Sequence, residues 1–343
     1  MKRTVLVLVL FYTACSSGPG PEGIAFISNE DSGTVSIIDL STFEVLDSIY
    51  VGKRPRGIRI SPDGTKLYVA LSGSPKCPPW MSEEECLSQE TDKSKDGIAE
   101  IDWAKKKILR ILPGGSDPEQ FDISSNGDRI YVSNEDVGKA SVIDLNSGHK
   151  VKELLVGIEP EGVRISPDQK WVLVTNESTG DVSLIHTQTN DVVTHIPVGN
   201  RPRDICFHPY KNIAYVSNET SSSVSVLDLL LQEKLMDIQL PQWSLPMGIA
   251  LDASQNRLYV ATGRGKKVIV VDIRDNRITG QIEVGQRPWG IALTDDGRFL
   301  VTANGPSNDI TVIDTKNLKI LRKIKVGLTP WGVAILQQNL TDR

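Results

Sequence analysis

The chain has 343 residues, 39% hydrophobic, 24% charged and 6% aromatic, with 28 Gly and 19 Pro; this composition excludes global disorder, a collagen helix and a coiled coil. A net charge of −5, from 38 Lys+Arg against 43 Asp+Glu, gives no broad electrostatic drive toward nucleic acid. Length alone admits either two domains of about 150 residues or one large all-β domain.

At the amino terminus, Lys2 and Arg3 precede an apolar run over residues 5–12 and then Thr13-Ala14-Cys15-Ser16-Ser17-Gly18. This reads as an export signal over 1–14 followed by a tether over 15–22, the apolar run being too short to cross a bilayer of about 30 Å. Cys15 behind small residues resembles a bacterial lipobox, although Tyr12 stands where Leu is usual. The resemblance implies lipidation at Cys15 and a periplasmic protein held on the outer membrane, with membrane contact only through that anchor. Ordinary cleavage nearby, leaving a soluble periplasmic protein, is the alternative. Cys77 and Cys86 lie in one Pro- and Glu-rich segment and suit a disulfide in an oxidising compartment, against the alternative of two free thiols. Cys206, within Asp204-Ile205-Cys206-Phe207, reads as a packing residue.

A Pro followed two positions later by Gly or its substitute recurs at Pro55, Pro118, Pro160, Pro202, Pro246, Pro288 and Pro330, at intervals of 63, 42, 42, 44, 42 and 42. The long first interval holds an insertion of 21 residues, expected to form a lid at about 73–97. Each unit contains four short alternating runs separated by turn signals such as Asp63-Gly64, Asn126-Gly127 and Asp296-Gly297. Four strands at this period make a propeller blade. The chain begins in the second strand of a unit and ends in the first, so the fold class is all-β: one seven-bladed β-propeller over 23–336. A carboxyl-terminal strand closes the ring beside the amino-terminal ones, with 337–343 as a tail.

Tyr131-Val132-Ser133-Asn134 and Tyr215-Val216-Ser217-Asn218 resemble the YVTN-type propeller repeat. Arg54-Pro55-Arg56-Gly57, Leu71-Ser72-Gly73, Glu159-Pro160-Glu161-Gly162, Arg287-Pro288-Trp289-Gly290 and Ala303-Asn304-Gly305 more narrowly resemble the PQQ-dependent catabolism-associated propeller proteins. Cys77 and Cys86 depart from that pattern. The resemblance implies an exported accessory of periplasmic quinoprotein alcohol oxidation or its linked transporter.

The residue between Pro and Gly is under no demand from turn geometry, yet it varies from blade to blade: Arg56, Glu119, Glu161, Arg203, Met247, Trp289 and Trp331. These seven are expected at one mouth of the channel. The loop after each second strand should open on the same face and adds Asn134, Glu135, Asn176, Asn218 and Asn304, while one unit substitutes Thr262-Gly263-Arg264. In the plainer reading, Asn caps the strand end and Arg and Glu satisfy one another. In the functional reading, the Trp pair and the charged residues form a surface for a small ligand or a periplasmic protein partner, a quinoprotein or transporter component.

Signals for catalysis are weak. None of His149, His186, His195 and His208 falls in a mouth loop, so no imidazole cluster for a metal or haem is expected, and no cofactor is assigned. The Asp that recurs after the third strand (Asp39, Asp102, Asp144, Asp228, Asp272, Asp314) precedes a turn and is read as a turn cap. The expectation from sequence is therefore a non-catalytic binding scaffold. Two alternatives stand beside it: a lactone hydrolase using mouth carboxylates with or without a divalent metal, and a carrier of modified haem related to the nitrite reductase propeller.

Overall fold

A computed structural model describes residues 22–76, 81–82, 84–85 and 88–337; Cys15, Cys77 and Cys86, and with them the expected anchor and disulfide, lie outside the described residues. The described chain forms seven four-stranded antiparallel sheets. Six are built from consecutive strands. The seventh joins Pro330–Leu336 to Ile24–Asn29, with Ala25 opposite Ile335 and Phe26 opposite Ala334, so the two ends of the chain share a blade as the repeat requires. Blades are numbered here from this shared one, and strands within a blade from the channel outward. Ring closure leaves no inner sheet edge open to other chains.

Burial follows position in the blade. Second and third strands are covered on both faces by neighbouring blades and are buried along nearly their whole length, as in Trp171–Asn176 and Asp181–His186. Outer strands such as Asp191–Pro197 alternate exposed and half-buried positions, because only one face meets a neighbour. The apolar residues gather into clusters between adjacent sheets, for example Phe26, Val35, Leu67, Val69 and Ile101 between blades 1 and 2. The recurrent Asp residues cap turns as expected: Asp39 accepts the amides of Ser41 and Thr42, and Asp144 accepts that of Ser147. The insertion joins the second and third strands of blade 2, Lys66–Leu71 and Gly97–Asp102, and its described ends meet the mouth loops: Arg54 donates to the Ser74 and Pro75 carbonyls, and Lys93 pairs with Asp136.

Two short-range devices place the inner strands. The Ser or Thr before the loop Asn donates to the carbonyl of the next blade's Pro-x-Gly residue: Ser28 Oγ to Arg56 at 2.6 Å, Thr175 Oγ1 to Arg203 at 2.9 Å. The Gly after that residue is needed because a Cβ at Gly57 or Gly290 would meet the next blade's carbonyl oxygen at 2.7 or 2.4 Å. A third device escapes sequence reading. The residue before each repeat Pro is left-handed in all seven blades, from φ 45° at Arg54 to 53° at Glu159, although none is Gly or Asn. This turns the Arg54, Asp117, Glu159, Arg201, Leu245, Arg287 and Thr329 side chains into the mouth loops.

Candidate functional site

Pro-x-Gly and Asn-Glu loops meet at one end of the channel because Pro160 pairs with Asn176 in blade 4, and the same pairing recurs in blades 3, 5 and 7. The seven intervening residues therefore do form one tier, but a largely buried one. Arg56, Glu119, Glu161, Arg203, Met247 and Trp331 are all buried, and only Trp289 is partly exposed. Two guanidiniums organise the charge. Arg56 pairs with Asp117 and Glu119 and lies 3.6 Å from Glu135. Arg203 pairs with Glu161, Glu177 and Glu219. A rim of similar pairs stands outside them, Arg54 with Glu30 at 3.0 Å and Arg201 with Glu177 at 2.5 Å.

The Asn residues serve the blades that carry them. Asn176, Asn218 and Asn304 donate across to the third strand, Asn304 Nδ2 to Asp309 and Thr311, while Asn134 donates to the Gly114 carbonyl. All are buried, and they set the loop from which Glu135, Glu177 and Glu219 project.

Around Arg56 three carboxyl groups share one guanidinium, with oxygens within 4.8 Å of one another. Their titrations are driven apart. Burial pushes Glu135 up to about 8, reinforced by Asp117 and Glu161 against the pull of Arg56. For Asp117 burial is also the largest influence, but Arg56 and the Ser72 hydroxyl outweigh it and hold the group below the usual carboxylate range. A divalent cation does not fit this cluster without displacing Arg56, which pairs with the carboxylates and also donates to the Pro118 carbonyl at 3.2 Å.

Below this tier the channel is nearly filled, with about 30 Å³ open to the centre of a water molecule, room for about two waters. Its wall includes Gln120 and Asp204, which stand where five other blades have Gly. Asp204 meets Arg164 at 2.8 Å and accepts the Ile249 amide at 3.2 Å; Asp122 meets Arg59 at 3.2 Å and accepts the Ile165 amide at 2.8 Å. Burial raises both carboxyls, Asp204 to about 6. Sequence reasoning missed this polar girdle across blades 2 to 6. Its signal was the break in Pro-x-Gly at Gln120 and Asp204.

On the opposite side of the mouth, Trp289 and Trp331 pack with ring centroids 5.9 Å apart, and the Arg287 guanidinium lies 4.2 Å from the Trp289 ring centroid. The four His are remote from the mouth: His195 lies in an outer strand as expected, His149 opens one rather than lying in a turn, and His186 ends a third strand, packed edge-on against Trp171 at the far end.

Two family models match the chain, "Lactonase, 7-bladed beta-propeller" over residues 162–325 and "Cytochrome D1 heme domain" over residues 86–205. The chain is a seven-bladed β-propeller. No curated protein matches it. Among solved structures, a Bacteroides fragilis protein provisionally assigned as a 6-phosphogluconolactonase is similar at 17% identity, covering 94% of this chain and 99% of that one with a TM-score of 0.74. Kuenenia stuttgartiensis hydrazine synthase is similar at 21% identity, covering 90% and 99%, TM-score 0.72. The dihydro-haem d1 dehydrogenase NirN is similar at 15%, covering 94% and 77%, TM-score 0.66. At these identities the structures show the fold alone.

The family models overturn the expectation of a non-catalytic accessory to PQQ-dependent alcohol oxidation, because the one matching most of blades 4 to 7 is that of an enzyme family. The physical reason for the misreading is that strand and turn motifs are common to seven-bladed rings of many functions. What distinguishes this mouth is its split carboxyl pair, which depends on burial that the sequence does not display.

Proposed function

We propose that the chain is a hydrolase that opens the ring of a small lactone at this mouth, with Glu135 as proton donor. The observation that carries the reading is the pair Asp117 and Glu135 about Arg56, two carboxyls with titrations driven apart, the arrangement that separates acid from base roles in one site. The lactonase model over residues 162–325 supports the same reaction class.

In the reaction, water adds to the lactone carbonyl carbon and gives a proton to an ionised carboxylate, for which Asp117, held below the usual carboxylate range beside Arg56, is the candidate. The ring C–O bond then breaks, its electron pair leaves on the alkoxide oxygen, and Glu135 supplies the proton that makes the hydroxyl of the hydroxy-acid product. Arg56 and Arg203 act as positioning residues that hold the carboxylates. The haem reading has the second family model in its favour, but the four His offer no imidazole at the mouth to bind iron.

The YVTN-type repeat, export, lipidation at Cys15 and a small-molecule partner belong to this reading. They are supported by the repeat motifs and by the charged and apolar pattern of residues 1–20. Turnover tests the reading: Glu135→Gln and Asp117→Asn should each lower kcat by about 10²-fold or more while the unfolding transition stays cooperative. Unchanged turnover in both variants would refute the assignment. Incorporation of labelled fatty acid, lost in Cys15→Ser, tests the anchor.

A further inference from the structure

The rim ion pairs obey the repeat. In blade 2 the residue before the Pro, Arg54, pairs with Glu30 in the preceding blade's loop; in blade 5, Arg201 pairs with Glu177 in the same register. Blade 7 has the arginine, Arg287 before Pro288, but the preceding loop reads Thr262-Gly263-Arg264. Gly263 occupies the position of the glutamate, and a second arginine follows it. Among the described residues no carboxylate stands within ion-pair distance of Arg287 or Arg264.

Arg287 is half-buried, and burial lowers its pKa, with Arg264 and Arg203 adding to the effect. Glu219 and Glu30 act in the opposite sense, but Glu219 is held by Arg203 and Glu30 by Arg54 and Lys76. The Arg287 guanidinium lies over Trp289, whose indole Nε1 is buried with no hydrogen-bond acceptor. A partly desolvated guanidinium without a counter-charge and an indole N–H without an acceptor are both unfavourable in isolation, and an oxyanion satisfies both.

We infer that the mouth between blades 6 and 7 is an oxyanion subsite, in which Arg287, Arg264 and the indole N–H of Trp289 take the carboxylate or phosphate of a small ligand where other blades place a loop glutamate. The Trp289 and Trp331 pair then offers the adjoining apolar surface to the ligand's carbon frame. This inference does not need the hydrolase reading, because it is tested by binding without turnover.

The experiment is calorimetry with intrinsic Trp fluorescence on the purified protein, at constant ionic strength, using sodium gluconate and inorganic phosphate as probes and glucose as the uncharged control. Saturable binding of gluconate, phosphate or both, with none of glucose, is expected. Gluconate alone identifies a carboxylate subsite and phosphate alone a phosphate one. Arg264→Gln, at an exposed position, should weaken binding several-fold, and the double variant with Arg287→Gln by about tenfold or more. Gly263→Glu restores the missing acid and should abolish binding; its new Cβ would lie 3.0 Å from the flexible Met247 Cγ and 3.3 Å from the Leu245 carbonyl oxygen, so binding is scored on variant protein whose unfolding stays cooperative. Failure of both anions to bind, glucose binding equally well, or binding unchanged in the folded variants would overturn the inference.

Discussion

At the scale of the residue, burial decides which charges matter. Arg203 is buried among Glu161, Glu177 and Glu219. Arg203→Leu leaves Glu161 without its guanidinium and Glu177 and Glu219 with Arg201 alone, and should lower stability by about 3–5 kcal/mol in denaturant unfolding; the same replacement at exposed Arg264 should change it little. Glu135 gives a pH signature. Its folded pKa, about 8, lies above its ordinary 4.5, so the folded chain holds the extra proton between those values. The group's contribution is therefore most favourable at acid pH and declines as pH rises from about 4.5 through 8. Glu135→Gln should flatten that decline in unfolding curves recorded across this window. Turnover that needs the protonated carboxyl should fall as pH rises through about 8. The sequence placed Glu135 and Arg56 at one mouth and allowed for Arg and Glu pairing there, but it did not reveal Asp117 as the partner of Arg56, because Asp117 faces Arg56 only through a left-handed backbone that Asp in this sequence does not announce.

At the scale of the element, the legible features were those with a steric cause. Pro and Gly at fixed spacing marked every inner strand, because the Gly lets one blade's strand approach the next blade's carbonyl. Gly290→Ala, which puts a Cβ at 2.4 Å from the Trp331 oxygen, is expected to destabilise by about 1–3 kcal/mol. The hydroxyl before the loop Asn has a comparable role. Thr175 Oγ1 donates to the Arg203 carbonyl and accepts the Gly162 amide at 2.7 Å. Thr175→Val strands two buried backbone groups and should cost about 1–3 kcal/mol in the same measurement. Less legible was the girdle of Asp122 and Asp204 inside the channel. Asp204 looks like a lapse from the repeat, and its partners Arg164 and Ile249 come from two other blades.

At the scale of the whole molecule, the ring was readable because both of its ends are partial blades. Phe26 and Ala25 pair with the last strand, so removal of residues 330–343 should open the ring and yield an aggregating or unfolded chain in size-exclusion chromatography and calorimetry. Function was the part least written in the repeat. The same closed architecture serves many activities, and the distinguishing features are asymmetries among blades: acids clustered on blades 3 to 5, unpaired arginines and paired Trp on blades 6, 7 and 1. The reaction proposed for this asymmetric mouth is the opening of lactones. Its most direct test is hydrolysis of a panel of γ- and δ-lactones by the purified, folded protein, with Glu135→Gln in parallel. Ring opening of at least one lactone is expected, reduced by about 10²-fold or more in the variant; a folded wild-type protein that opens none of them faster than buffer would overturn the hydrolase reading.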